Sequence, residues 1–400
     1  MTVVKKLQLA LLFPFLIACG DAASRTSAPV VRDSAGVTIV ENSAPLWREG
    51  EAWRVSQEHT VNIGVIDGDP VYQLFQARAF LRLGDGRIVI GNRGSHDVRW
   101  YDEHGTFLRA AGGKGGGPGE FEDLRWIGLL PGDSVMAYDI SHRRLSIFDP
   151  QGTFVRSATI QNPMLYFAHS VLDDGSVVMY RWSSTGDGVS RRFTTVIRFD
   201  DGGTLLDTIV TVSGPEVQIE SRPGPNPGSI FSTSRRLMFG HDAVMAPSGS
   251  LVYVGSQDRY EIDLWDTTGT LVASVRVAGD PMPVTDDWIN AFIEEAVAEA
   301  DADEERRRRA LFADVPHVET FPAYGRILVD PEGNLWVQDF LLPGDHRPRW
   351  TVFDPQHRML GTVDMPQGVI VRQIGSDFVL GRWVDDLEVE HVRLYDLIKR

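Results

Sequence analysis

One phrase recurs six times along this chain of 400 residues: an apolar stretch, a tight polar turn containing glycine, and a second apolar stretch of alternating polarity. It occupies residues 83–90, 130–138, 172–179, 246–253, 329–337 and 373–380, with turns at Gly86, Gly132, Gly175, Gly249, Gly333 and Gly375. Glycine supplies the positive φ that a tight turn requires, and flanks of period two lie as strands, so each copy reads as a β-hairpin. A second phrase follows most copies: an aromatic residue with Asp, a turn, then another strand. It begins at Tyr101-Asp102, Phe148-Asp149, Phe199-Asp200, Trp265-Asp266 and Phe353-Asp354. Two hairpins per repeat make a four-stranded antiparallel sheet.

Six such sheets set radially predict an all-β fold, a six-bladed β-propeller. A blade takes roughly 40 to 50 residues, and three turn-to-turn intervals agree: Gly86 to Gly132, Gly132 to Gly175 and Gly333 to Gly375. Gly175 to Gly249 and Gly249 to Gly333 are too long, and each excess coincides with an insertion. Residues 213–236 contain Pro215, Pro223, Pro225 and Pro227 and are expected to form an irregular loop. Residues 281–317 are expected to hold a helix, with Thr285 as N-cap, Asp286 and Asp287 in its first turn, and Ile289, Phe292, Ile293, Ala296, Val297 and Ala300 on one face. After Gly375 only two strands remain, so the last blade needs a fourth from the N-terminal region. Residues 37–41 are the expected strand and 53–56 its rival. The propeller is accordingly expected over 33–400.

The first residues fall into three zones: Lys5 and Lys6, an apolar run from Leu7 to Ile17, and Leu16-Ile17-Ala18-Cys19. A run of about a dozen apolar residues is too short to span a bilayer, which needs roughly 20, so residues 1–18 read as an export signal. The four residues ending at Cys19 resemble the lipobox of bacterial lipoproteins. That resemblance implies that Cys19 is acylated before cleavage and tethers the protein to a membrane. Residues 19–32 are small, polar and aperiodic, as a flexible tether is. In similar lipoproteins an aspartate directly after the cysteine retains the protein at the inner membrane; here Gly20 follows, which favours the outer membrane.

Cys19 is the only cysteine, so a mature domain has no disulfide framework, thiolate nucleophile or cysteine-ligated zinc. The chain holds 39 Lys and Arg against 55 Asp and Glu, a net charge of −16, and loss of residues 1–18 would make it two units more negative. Such a surface repels phosphate backbones, so nucleic acid is not an expected partner. The basic run Arg306 to Arg309 follows Asp301, Asp303, Glu304 and Glu305 and reads as a solvated helix face with internal ion pairs.

The run Gly112-Gly113-Lys114-Gly115-Gly116-Gly117-Pro118-Gly119-Glu120-Phe121 lies between the first and second blades. It resembles the inter-blade glycine motif of NHL-repeat propellers, and the whole mature chain is similar to bacterial six-bladed propeller lipoproteins of that kind. The resemblance implies a binding or scaffolding role. A P-loop is excluded because Gly115, and not Ser or Thr, follows Lys114, and a dinucleotide loop because strand-like sequence follows.

Catalytic constellations are missing from the sequence. No Gly-x-Ser-x-Gly elbow or His-Glu-x-x-His motif occurs, and Asp67-Gly68-Asp69 lacks the remaining ligands of a calcium loop. His317 beside Glu319 reads as a hydrogen-bonded surface residue. Trp336 and Trp265 fall at strand positions suited to blade cores, whereas Trp182 and Trp383 lie nearer a surface or channel. Propellers meet ligands at the central channel or at the loops of one face, so His169, Arg181, His241 and Tyr324, close to expected inner strands, are the candidate ligand-binding residues. The expected function is a non-enzymatic, membrane-tethered module that binds a protein, peptide or glycan, with no cofactor. The alternative is a lactonase-like hydrolase or lyase, for which calcium or another divalent metal would sit in the channel. Replacing Cys19 with alanine is expected to move the protein from the membrane to the soluble fraction on ultracentrifugation without unfolding it; continued membrane association would contradict lipidation.

Overall fold

The structure, a computed structural model, describes residues 28–399 apart from 184, 227 and 228. The expected export signal, Cys19 and most of the expected tether therefore lie outside the described residues.

The chain is a six-bladed β-propeller. Blade 1 runs from Ala79–Arg82 to Phe107–Gly112, and blade 2 from Leu124–Leu129 to Phe154–Thr159. Blade 3 begins at Phe167–Val171, blade 4 at Val244–Ser248, blade 5 at Ile327–Val329 and blade 6 at Ile370–Ile374. These six first strands each contact the next around the ring, and the sixth contacts the first, so they enclose an axis. One apolar core fills each of the six gaps between neighbouring blades. Trp336 lies fully buried between blades 5 and 6, while Trp265 is half-buried against the core between blades 3 and 4.

The aspartate of the second phrase has a specific task. Asp102 Oδ1 accepts the backbone N–H groups of His104 and Thr106 at 2.9 and 2.7 Å, and Asp266 and Asp354 do the same two and four residues on. The side chain thus takes up donors that the turn leaves without a ladder partner. Gly105, in the first of these turns, has φ +85°, and a Cβ there would lie 2.8 Å from Val61. Glycine meets both the turn and the close approach.

Val61 belongs to the strand that closes the ring. Arg54–Ile63 pairs antiparallel with Glu390–Ile398, the last strand of blade 6, and packs Val61 and Ile63 against blade 1. This corrects the expectation that 37–41 would close the ring. Val37–Asn42 instead adds in parallel to Leu271–Val277, the outer strand of blade 4, and Val30–Ser34 pairs with it as a hairpin. Residues 30–32 thus belong to a strand and not to a tether. Between these sites Asn42 donates to the carbonyls of Arg276 and His357 and accepts from Met359 N–H, and the N–H of Trp47 donates to Leu360 at 2.7 Å. Residues 30–63 therefore clasp blades 4, 5 and 6 in turn. Both candidate segments alternate, and the blade that each joins is set by a partner distant in sequence.

The proline-bearing insertion is also different from expectation. It is a hairpin, Leu205–Pro223 with Ile230–Arg236, that extends blade 3 to five strands. Pro215 is tolerated because Gly214 and Pro215 together oppose Arg192 alone, a bulge at which no ladder donor is required. The second insertion holds two helices, α1 (Asp286–Val297) and α2 (Ala302–Ala313). Thr285 precedes α1 without a side-chain cap, whereas Asp301 caps α2 through Asp303 and Glu304 N–H. Arg306 to Arg309 pair with Asp303, Glu304, Glu305 and, from α1, Glu294.

In the glycine run, Gly113 donates to His96 and accepts from Phe121 N–H at 2.9 Å, which seats the Phe121 ring in the core between blades 1 and 2. Gly112 has φ +106°, and a Cβ there would stand 2.8 Å from that ring. Ile63 is wholly buried in the closing strand. Its replacement by alanine is expected to destabilise the fold by about 2–5 kcal/mol in urea unfolding; a loss below about 1 kcal/mol would show that the closing strand is not packed as described.

Candidate functional site: the central channel

A propeller blade is pleated, so successive side chains of an inner strand face opposite neighbours and none is obliged to face the axis. Three inner strands break that pattern. In blade 2 Leu124 and Trp126 pair with consecutive residues, in blade 3 Ala168 and Ser170 do so, and in blade 6 Val371 and Gln373 do so. The skipped residues are Arg125, His169 and Arg372. Each is the extra residue of a β-bulge, a device that re-aims a side chain, and each lines the cavity along the axis. Arg78 and Arg326 reach the same cavity from positions just before the inner strands of blades 1 and 5. Because the six inner strands lead the chain in the same sense, Arg78, Arg125, Arg326 and Arg372, at or near their starts, gather at one end of the channel.

The cavity holds about 820 Å³, within the range that accepts small ligands. One wall is aromatic. Phe167 stacks on Tyr180 with centroids 5.4 Å apart and meets Trp182 at 4.8 Å; all three are half-buried and line the cavity. Trp126 lines it too, its indole N–H donating to the His169 carbonyl at 2.8 Å.

The charges are unevenly paired. Arg93 and Arg125 share the Asp123 carboxylate, and Arg236 pairs with Asp242. Arg78, Arg326 and Arg372 make no ion pair or side-chain hydrogen bond among the described residues, although all three are open to the solvent of the channel. Burial and the neighbouring guanidiniums of Arg326, Arg382 and Arg78 push Arg372 down to about 10, and burial lowers Arg326 as well. Arg382 itself is held by Glu390 at 2.7 Å. Burial and Arg372 push His169 down to about 4, so it is neutral at pH 7, and its Nδ1 has no hydrogen-bond partner among the described residues.

Of the sequence candidates, only His169 lines this cavity. Arg181 lies between Tyr180 and Trp182 on one strand, and since those two line the cavity, alternation turns Arg181 to the other face of blade 3. His241 is buried away from the cavity, where both its N–H and its Nδ1 meet Glu216 Oε2 at 2.8 Å. Tyr324 fills the core between blades 4 and 5, its hydroxyl donating to the Glu261 carbonyl at 2.9 Å. Trp182 lines the cavity, while Trp383 lies beneath the Arg393 guanidinium, 3.5 Å from its ring centroid. His317 bonds to the carbonyl of Val318. Sequence reasoning missed Arg78, Arg326 and Arg372, although Arg78 and Arg326 directly precede the apolar starts of inner strands, Ala79-Phe80-Leu81 and Ile327-Leu328-Val329, and Arg372 interrupts Ile370-Val371 and Ile374. Among the described residues no group of three or more His, Cys, Asp and Glu side chains converges as a metal site, and a cluster of unpaired guanidiniums repels a divalent cation.

No protein family matches the sequence, and no curated protein does. Solved structures do resemble it in fold. An exported protein from Bacteroides fragilis is 12% identical, with a TM-score of 0.50, over 90% of this chain and 99% of its own. A member of the DUF4221 family from Bacteroides vulgatus is 9% identical, with a TM-score of 0.49, over 88% and 100%. Virginiamycin B lyase from Staphylococcus aureus is 9% identical, with a TM-score of 0.41, over 87% and 100%. At 12% identity the likeness to the first of these reports a shared fold alone. No helix among the described residues is long and apolar enough to cross a membrane.

The depressed His169 has a measurable consequence. Its folded-state pKa lies below the unfolded value of about 6.5, so between these values the unfolded chain binds the proton first and stability falls as pH drops from about 6.5 towards 4. His169→Gln is expected to flatten the pH dependence of the melting temperature in this window; an unchanged slope would contradict the buried, neutral imidazole.

Proposed function

We propose that the protein is an exported, lipid-tethered propeller of the NHL-like kind that binds a partner at the cell envelope, on the outer membrane, and performs no chemistry on it. The observation that carries this reading is the lining of the central channel. It combines half-buried aromatic faces with guanidiniums that lack carboxylate partners among the described residues, a surface suited to recognition. A channel hydrolase of the metal-dependent type would need acids or histidines converging on the axis, and the donors along the channel do not fit one: the lining acid Asp242 is occupied by Arg236 and His169 stands among arginines. The reading therefore includes no metal and no cofactor. Cys19 supplies the tether, and the partner is a protein, a peptide or a glycan.

Protein beginning at residue 28 is expected to stay folded, to contain no stoichiometric metal by elemental analysis, and to retain a partner from envelope extracts. Failure to retain any partner, together with turnover of a lactone or ester library, would overturn the proposal.

A further inference from the structure

The acidic character of the chain makes its channel anomalous. With 55 Asp and Glu against 39 Lys and Arg, carboxylates are the commonest charged partners available, and most arginines of the fold have one. Arg78, Arg326 and Arg372 have none among the described residues, yet they stand close enough that Arg326 and Arg78 make charging Arg372 harder. Like charges gathered in a partly enclosed cavity raise the free energy of the empty protein. Three different blades contribute these groups, one of them at a bulge that turns it from the pleat towards the axis, so the arrangement is built by the fold and not by one flexible segment.

What would relieve this crowding is an anion. Guanidinium presents a planar fork of donors matched to carboxylate, sulfate and phosphate. The second feature of the cavity limits what the anion is attached to. Phe167, Tyr180 and Trp182 pack on one another as a half-buried aromatic wall that lines the cavity, and Arg372 is near enough to Tyr180 for each to alter the other's ionisation. A ring-shaped body with apolar C–H faces stacks on such a wall while its charged substituents reach the arginines. Gln76 adds a polar side chain to the same lining. We propose that the central channel receives an acidic saccharide, a short run of sugar rings bearing carboxylate or sulfate groups, with its rings on Phe167, Tyr180 and Trp182 and its anionic groups on Arg78, Arg326 and Arg372. This rests on the reading of the channel as a binding site and names the ligand class of that site.

The test titrates the protein from residue 28 onward with trigalacturonate, sulfated lactose, neutral maltotriose and citrate, following tryptophan fluorescence and calorimetry. The two acidic sugars are the two sources of the same chemistry, and binding of either supports the proposal; their ratio tells carboxylate from sulfate. Maltotriose is expected to bind at least about 100-fold more weakly, and Arg326→Gln and Arg372→Gln each to weaken the acidic sugar at least about tenfold. Both variants should melt no lower than the parent, because each removes a crowded charge, so lost binding cannot be ascribed to lost folding. Trp182→Ala is expected to weaken the acidic sugar and leave citrate unchanged. Arg156→Gln, at an exposed ion pair with Asp201 outside the channel, should change nothing. Absence of binding by both acidic sugars, equal binding of maltotriose, or indifference to the arginine substitutions would overturn the inference. Citrate binding as tightly as the sugars, with no effect of Trp182→Ala, would reduce the site to a plain anion receptor and overturn the saccharide assignment. If the acidic sugars fail while a partner is still retained from envelope extracts, the inference falls and the binding function stands.

Discussion

The pairing of Arg54–Ile63 with Glu390–Ile398 is the constraint on which the rest depends. A propeller sheet leaves each blade with apolar faces on both sides, and only a closed ring gives every face a neighbour. Joining the two ends of the chain in blade 6 creates the sixth core, which takes Val61 and Ile63 from one end and Leu380, Val392 and Leu394 from the other. Without that core the ring has two bare blades. With it, six inner strands are held around one axis, and residues separated by more than 290 positions, such as Arg82 and Gln373, meet through hydrogen bonds. Closure therefore builds the channel as well as the core.

The channel chemistry follows from local departures inside that regular frame. Ordinary pleating sends inner-strand side chains into the inter-blade cores, where charge is costly. Bulges at Arg125, His169 and Arg372 divert three polar residues to the axis at the expense of one ladder position each. Arg125 is then neutralised by Asp123, whereas Arg372 meets other guanidiniums. The contrast between a strongly acidic exterior and an unpaired cationic channel mouth connects the architecture to recognition. Charge density set on a rigid ring costs little further ordering when a ligand arrives.

The blades were legible in the sequence because each repeat alternates and carries a glycine near its turn, of which all but Gly375 take the expected positive φ, and because the aspartate of the second phrase binds backbone two and four residues on. The second insertion was legible as helical from the apolar face that begins at Ile289 and from the acidic-to-basic order of 303–309, but the single helix expected through Ala300 ends at Val297, Thr285 makes no side-chain cap, and a second helix starts at the Asp301 cap. What was not legible depends on partners distant in sequence. Residues 37–41 and 54–63 are both adequate edge strands, and only their partners, Leu271–Val277 for one and Glu390–Ile398 for the other, assign them to blade 4 and blade 6. Prolines 215 and 223 suggested a loop because the bulge that accommodates the first lies opposite Arg192, more than twenty residues earlier. His169 was found by its nearness to an inner strand, but the same argument selected Tyr324 and His241, whose side chains turn into cores, and passed over Arg326 and Arg372. A bulge shifts the register by one, so a strand's own alternation does not report which residue faces the axis.

In the proposed binding mode the unpaired guanidiniums of the channel receive the anionic groups of a sugar. A crystal structure of residues 28–400 grown with saturating trigalacturonate tests it most directly. The expected result is a saccharide in the channel with carboxylate oxygens within hydrogen-bond distance of Arg326 and Arg372 and a ring against the wall of Phe167, Tyr180 and Trp182. A saccharide bound elsewhere, or a channel holding only water at saturation, would contradict it.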